Sequence, residues 1–209
     1  MKTNYLKSFG ACALSISLLI SACHSGSKES TELADSANKT QIQATDSANN
    51  ANIDSSKSMN KVKTALKEDA SKFLVSSYES GMYEIQISQL AATNSLIAGV
   101  KKLASDLVVA HTAINSKMSA IAASADFVLP TSLNSDHQKS LEDLSKLTGT
   151  GFDKKYVSTI IAGHEKSISN YKDAFKNLTE SNTKTFAGQT IPEIEGHLAM
   201  AKGVQKSLK

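Results

Sequence analysis

The sequence contains no arginine and no tryptophan, and all 23 of its basic residues are lysine. Its 20 acidic residues leave a formal net charge of +3 at pH 7. A protein that binds nucleic acid needs a basic face, and it usually uses the guanidinium fork of arginine to bind phosphate or guanine. The charge balance and the absence of arginine therefore argue against a nucleic-acid partner.

Cysteine, proline, aromatic residues and long apolar runs are also scarce. Two cysteines cannot form a disulfide scaffold. No stretch of the chain reaches the roughly 18 consecutive apolar residues that indicate a membrane-spanning helix. Aromatic residues make up only 5% of the 209 residues and there are 2 prolines, whereas alanine, leucine, isoleucine, serine and lysine are abundant. This composition favours an all-α protein over a β-sandwich.

The first 22 residues have the pattern of an export signal. Lys2 and Lys7 provide a positive start, and residues 11–20 form an apolar run of signal-peptide length. The segment around residues 19–22, followed directly by Cys23, resembles the lipobox of bacterial lipoproteins. That resemblance implies cleavage before Cys23 and a diacylglycerol thioether on its sulfur. An ordinary secretory signal that happens to precede a cysteine is the alternative.

The position after the lipidated cysteine bears on location. His24 stands there instead of aspartate. By resemblance to the enterobacterial sorting rule, this favours the outer membrane. We therefore expect an exported lipoprotein that contacts the membrane through lipid on Cys23, with its domain in the periplasm or at the cell surface.

Residues 23–65 are predicted to be a flexible tether rich in serine, alanine, asparagine and lysine. The larger aliphatic residues there are Leu33, Ile42, Ile53 and Val62, and no aromatic residue is present. Burial of so little apolar surface does not offset the conformational entropy that the segment would lose on ordering. The chain is thus divided into a signal (1–22), a tether (23–65) and a folded domain (66–209).

Beyond residue 66, apolar residues recur with a period near 3.6, which is typical of amphipathic helices. Glycine, proline and serine-containing breaks divide the pattern into four long helices and a short one. The four long helices form two hairpins joined by a crossover, so the sequence predicts a four-helix bundle with a short extra helix in the crossover. The predicted helices cover approximately residues 69–93, 95–125, 136–147, 152–178 and 183–208.

Three of the five histidines lie on the apolar stripes of three different long helices, and they are His111, His164 and His197. Counted from the predicted turns, all three lie at one level of the bundle. Buried imidazoles cost stability unless they have partners, and imidazole is a common ligand of late divalent metals. We therefore predict a core site for one divalent transition metal, such as Zn, Fe, Mn or Cu.

Glu84 is a further candidate ligand on the first long helix. Counted from a turn at Asn94, it lies seven residues out of level with His111, or about 10 Å along the axis. It would then reach the histidines only if the helices are offset, and an alternative places it near Lys102 or Asp106.

Two other interpretations of the histidine cluster remain open. The first is a structural or interaction bundle whose histidines only form hydrogen bonds, and the second is a metal-dependent oxidoreductase. A carboxylate-bridged di-iron oxidase is disfavoured, because no histidine is preceded three residues earlier by glutamate; those positions hold Val108, Ile161 and Ile194.

Taken together, the residues resemble the bacterial family of domains of unknown function numbered 4142. The resemblance covers about residues 69–208, and its most specific element is the spacing of the three histidines. It implies an exported protein with a ferritin-like helical bundle, but no reaction. An acid usually precedes the first of these histidines in the family, and Ala110 stands there in this chain. The residues that carry the resemblance include Phe73, Gly81, Glu84, Leu107, His111, Asn115, Phe152, Asp153, Tyr156, His164, Pro192 and His197.

Overall fold

A computed structural model describes residues 28–49 and 57–208 of the chain. The predicted signal peptide and Cys23 lie outside these residues. The described part contains six helices and no strand, which confirms the prediction of an all-α protein. The helices are α1 (Lys28–Asn49), α2 (Lys57–Asn94), α3 (Ala98–Ser124), α4 (Ser135–Ser145), α5 (Gly149–Asn177) and α6 (Ser181–Ser207).

The four long helices α2, α3, α5 and α6 form the predicted bundle. Helices α2 and α3 pack as one hairpin, and α5 and α6 pack as the other. One apolar cluster joins the end of α2 and the start of α3 to the start of α5 and the end of α6. A second cluster joins the opposite ends of the same helices. Consequently α3 and α5 run in the same direction, and the segment between them crosses the length of the bundle, as in ferritin-like folds.

Helix α4 lies within this crossover and is fastened to α2 by a buried carboxylate. Glu79 accepts hydrogen bonds from the backbone N–H and the side-chain amide of Asn134, both at 2.8 Å. His137 Nδ1 lies 2.9 Å from the same carboxylate. The His137 ring also stacks on Tyr83 with 4.2 Å between ring centroids. His137, near the start of α4, is thus part of the contact that anchors this helix to α2.

The prediction of a flexible tether over residues 23–65 is corrected in two places, because residues 57–65 belong to α2 and residues 28–49 form helix α1. Its Ala34, Asn38 and Ile42 are buried and lie four residues apart, on one face of the helix that packs on α2. Asn38 also exchanges two hydrogen bonds with the backbone of Val128 in the crossover, at 2.9 and 2.6 Å. The composition argument considered apolar surface alone, whereas this helix is also held by polar pairing with another part of the chain.

One aromatic residue of α5 lies at the surface of the bundle and not in its core. Phe175 of α5 is 49% exposed. Its ring lies over Gly188 of α6, where an added Cβ would be 2.6 Å from a ring carbon. Lys184 Nζ lies 5.8 Å from the centre of the ring. The ring therefore covers a glycine at the surface of the α5–α6 hairpin.

Within the described residues, no helix combines the length and apolar character needed to cross a membrane.

Candidate metal centre

The structure brings the three predicted histidines together in the bundle core. His111 of α3, His164 of α5 and His197 of α6 are all buried, and one ring nitrogen from each lies within 4.8 Å of the other two. The shortest pair is His111 Nε2 and His164 Nε2, which are 3.4 Å apart. The predicted juxtaposition of the three imidazoles is therefore confirmed.

The helical register explains why these rings share one level. His164 lies thirteen residues before the end of α5, and His197 lies sixteen residues after the start of α6. His111 lies thirteen residues from either end of α3. The prediction counted His111 from the end of α3 and His164 from the start of α5, although the crossover separates those ends. The levels still agree because His111 is at the midpoint of its helix.

Glu84 of α2 joins the cluster. Its Oε2 lies 2.7 Å from His111 Nε2, and its Oε1 lies 3.6 Å from His164 Nδ1. Residues 95–97 connect α2 to α3 outside both helices, so they add no length along the bundle axis. Counted from the true helix ends, Glu84 and His111 differ by three residues, or about 4.5 Å, which a glutamate side chain spans.

The alternative placement of Glu84 beside Lys102 or Asp106 is wrong. Lys102 Nζ instead pairs with Asp106 Oδ2 at 2.8 Å, one turn along the exposed face of α3. The carboxylate of Glu84 is buried among imidazoles, and Lys102 does not pair with it.

The hydrogen bonds of two histidines bear on which nitrogens could bind metal. His164 Nδ1 lies 3.0 Å from the carbonyl oxygen of Ile160, so a proton on Nδ1 is donated to the backbone and the Nε2 lone pair faces the cluster. Such a bond from the outer nitrogen is typical of metal-ligating histidines. His197 Nδ1 is buried without a hydrogen-bond partner in the described part of the chain.

The surroundings favour the charged form of His111 beside Glu84 and the neutral forms of His164 and His197. Burial alone would raise the pKa of Glu84, but His111, His164 and His197 together lower it to about 2. Burial lowers the pKa of His111, and Glu84 reverses this and leaves it above the ordinary value. Burial is the main cause that lowers the pKa of His164, and with the neighbouring rings it lowers that of His197 to about 4.

The donor set fits a divalent transition metal. The four side chains offer three imidazole nitrogens and one carboxylate, with no thiolate. Tetrahedral zinc with its usual bonds to nitrogen holds two nitrogens about 3.3 Å apart, close to the separation of the His111 and His164 nitrogens. The remaining histidine nitrogen lies within 4.8 Å, a distance that ring rotation can shorten.

A cavity of about 490 Å³ reaches one side of this cluster. Glu84 and His111 line it, whereas His164 and His197 do not. Gly81 and Gly163 also line the cavity. Gly163 lies close to Glu84, and Gly81 lies close to Asn115. The carboxylate side of the cluster is therefore the side that faces open space.

Helices α2 and α3 approach each other closely at Gly81, beside the cluster. A Cβ added to Gly81 would overlap the amide of Asn115, which lies one turn after His111 and donates a hydrogen bond to the carbonyl of Tyr78 at 3.2 Å. The resemblance named both residues, but nothing in the sequence predicted this contact. The close approach of α2 and α3 at Gly81 depends on the absence of a side chain.

Comparison with known proteins supports the fold and the family. No curated protein is significantly similar to the chain. A crystal structure of a DUF305 fragment from Deinococcus radiodurans superposes with a TM-score of 0.59 and 14% sequence identity. That superposition covers 66% of this chain and 96% of the fragment. It shows that the two proteins share a helical fold. The sequence profile of DUF4142, a domain of unknown function, matches residues 55–204, and the chain therefore belongs to the DUF4142 family.

Proposed function

We propose that this protein is a cell-envelope lipoprotein whose bundle binds one divalent transition-metal ion through Glu84, His111, His164 and His197. The observation that carries the proposal is the convergence of three buried imidazoles and one buried carboxylate, contributed by four different helices. A metal ion would give all four groups a common partner.

The alternative of a purely structural histidine cluster accounts for less of the geometry. Without metal, Glu84 and His111 are partners of each other, and His164 Nδ1 has the carbonyl oxygen of Ile160 as its partner. His197, however, is buried with an unpartnered nitrogen, and its low pKa keeps it neutral. Burial of a polar group without a partner is costly, so a core built only for stability would favour an apolar residue at this position.

The chemistry of the donors narrows the metal to a class. Imidazole nitrogen suits Zn, Cu and Fe, and a carboxylate oxygen adds Mn to the set. The absence of thiolate disfavours metals that require soft sulfur ligands. We therefore propose Zn, Fe, Mn or Cu in the divalent state.

The proposed role in the cell envelope rests on the metal site and on the sequence at the start of the chain. We propose that lipid on Cys23 attaches the protein to the outer membrane and that the bundle takes part in metal handling or in the response to envelope stress. The export signal and the position of Cys23 support this location.

A metal-dependent oxidoreductase is the second candidate, and the cavity favours it. A catalytic metal keeps one position open to solvent or substrate, whereas a structural metal is fully enclosed. The cavity beside Glu84 and His111 would provide that access. Under this candidate, Fe or Mn would be the functional metal.

Metal analysis of the untagged full chain tests the proposal, followed by thermal unfolding with and without a chelator at about pH 7.5. We expect one metal ion per chain and a clear fall in melting temperature when the chelator is added. Metal at 100 times its dissociation constant stabilises the native state by about 2.7 kcal/mol. Substitution His164→Ala, His197→Ala or Glu84→Ala should each abolish the effect of the chelator.

His137→Ala is the matched control, because this histidine is bonded to Glu79 at a separate place in the fold. The variant should keep the chelator effect. A melting temperature that does not respond to chelator, in protein shown to be metal-loaded, would leave the structural cluster as the correct interpretation.

A further inference from the structure

Helix α1 adds a wall to the cavity that leads to the candidate metal centre. The family profile begins at residue 55, so α1 lies outside the matched region. Its residues Thr31 and Asp35 nevertheless line the cavity, together with Glu84 and His111. An element outside the family domain thus borders the open side of the cluster.

The attachment of α1 to the crossover is mainly polar. Asn38 donates to the carbonyl of Val128 at 2.9 Å and accepts from its N–H at 2.6 Å. Near the start of the helix, directly before Thr31, Ser30 Oγ accepts hydrogen bonds from the N–H groups of Thr131 and Ser132 at 2.9 and 3.3 Å. These contacts fasten α1 to the segment that also carries α4.

The apolar contribution to this attachment is small. Among the α1 side chains that the structure describes, the buried apolar ones are Ala34 and Ile42. Helices in water derive most of their stability from packing of an apolar face, and elements with little buried apolar surface open at low free-energy cost. We therefore expect detachment of α1 to cost less free energy than unfolding of the bundle.

The charges along the cavity favour a cation. The acidic residues Asp35, Glu79 and Asp136 line it in addition to Glu84, and the basic residues of the lining are Lys166, His111 and His137. Asp35 Oδ1 is buried without a hydrogen-bond partner in the described part of the chain. Burial raises the pKa of Asp35, and the nearby charge of Lys72 offsets part of this effect. A divalent cation that moves toward Glu84 would pass an excess of negative charge.

From these observations we propose that α1 is a strap that covers an acidic route for divalent metal between solvent and the cluster of Glu84 and His111. Docking of α1 slows metal uptake and release, and its detachment opens the route. The inference rests on the proposed metal site and adds the control of metal exchange to it.

The test is the rate at which EDTA removes Co²⁺ from the metal-loaded full chain, followed by the visible absorbance of bound Co²⁺. Asn38→Ala removes both hydrogen bonds to Val128, and Ile42→Ser weakens the apolar contact. We expect each variant to release Co²⁺ about tenfold faster than the original chain, because each makes detachment of α1 less costly. The stoichiometry of bound Co²⁺ should stay the same.

Gln41→Ala is the control, since Gln41 is on the exposed face of α1. It should release Co²⁺ at the original rate. Circular dichroism melting of all four proteins shows whether the bundle remains folded. Equal release rates in folded, metal-loaded proteins would overturn the strap and leave the metal site intact. Failure of the original chain to bind Co²⁺, Zn²⁺, Fe²⁺, Mn²⁺ or Cu²⁺ would overturn both proposals.

Discussion

Gly163 of α5 faces Glu84 of α2 so closely that a Cβ at position 163 would lie 2.9 Å from Glu84 Oε1. The missing side chain leaves room for the carboxylate between the two helices. The position of Glu84 beside His111 and His164 therefore depends on a glycine of a neighbouring helix.

Substitution Gly163→Ala should weaken metal binding more than it weakens the fold. The added methyl group displaces the end of a flexible glutamate side chain, which moves at little cost, but the displaced carboxylate no longer lies at the cluster. We expect the metal dissociation constant to rise about tenfold, the effect of losing about 1.4 kcal/mol of binding free energy. Competition titration with a chromophoric chelator measures this change.

Gly196→Ala is the matched control for that substitution. Gly196 is also within a long helix, and a Cβ added there meets no atom within 4 Å. Alanine should stabilise α6 by up to about 1 kcal/mol through helix propensity and leave metal affinity unchanged. Equal metal affinities of the two variants would show that Glu84 is not a ligand.

Glu79 and Glu84 are both buried carboxylates on α2 paired with a histidine, and they should respond differently to glutamine substitution. Glu79→Gln weakens the anchor of α4, because the carboxylate accepts from Asn134 and pairs with His137. We expect a loss of about 1–3 kcal/mol in the free energy of unfolding, with the metal-dependent stabilisation retained.

Glu84→Gln should instead remove most of the metal-dependent stabilisation, since a neutral amide is a poorer ligand than a carboxylate. Denaturant unfolding with and without metal separates the two effects. If Glu79→Gln also abolished the response to metal, the separation between the α4 anchor and the metal centre would be wrong.

The metal-free protein should lose stability as the pH falls from 6.5 toward 4. His197 has its pKa lowered from 6.5 to about 4, mainly by burial and then by His111 and His164. Between these values the unfolded chain binds a proton that the folded chain does not, so acid favours unfolding. His164, whose pKa is also lowered, contributes in the same direction.

His197→Asn should flatten this dependence, because it removes the group with the most clearly lowered pKa of the three imidazoles. Urea unfolding of both metal-free proteins between pH 4 and pH 7 measures the difference. Parallel curves for the two proteins would contradict a buried neutral His197. Glu84, with a pKa lowered to about 2, adds stability that is present above pH 4.5 and is lost as the pH falls through about 2.

The proposed location predicts the behaviour of a Cys23→Ala variant. Loss of the sulfur removes the site for diacylglycerol, so the variant should appear as an uncleaved precursor or in the soluble fraction. Mass spectrometry of the mature N-terminus and membrane fractionation distinguish these products from the lipidated chain. A Cys23→Ala protein that is processed normally and remains in the membrane fraction would contradict the lipoprotein assignment.

Patterns within the sequence were sufficient to predict the four long helices of the bundle, the short helix α4, the crossover and the convergence of His111, His164 and His197. Each of these depends on periodicity along one helix or on distance from a turn, and both are written in the order of residues. The midpoint location of His111 also made its predicted level insensitive to the direction of the crossover.

The contact between Glu84 and His111 was decided by tertiary structure. A turn placed two residues too early changes the relative level of two hairpin residues by four residues, or about 6 Å, which is enough to place a ligand outside its site. The room for Glu84 further depends on Gly163, which belongs to a helix distant in sequence. No local pattern links these two residues.

The order of helix α1 was likewise decided by contacts with a distant part of the chain. Its own sequence has too little apolar surface to predict order, because the partners of Asn38 and Ser30 lie about 90 to 100 residues away in the crossover. The sequence alone determined which residues form amphipathic helices and at which levels their histidines lie. Only the tertiary structure decided which polar groups meet across helices, because those contacts depend on turn geometry and on close approach of segments far apart in the chain.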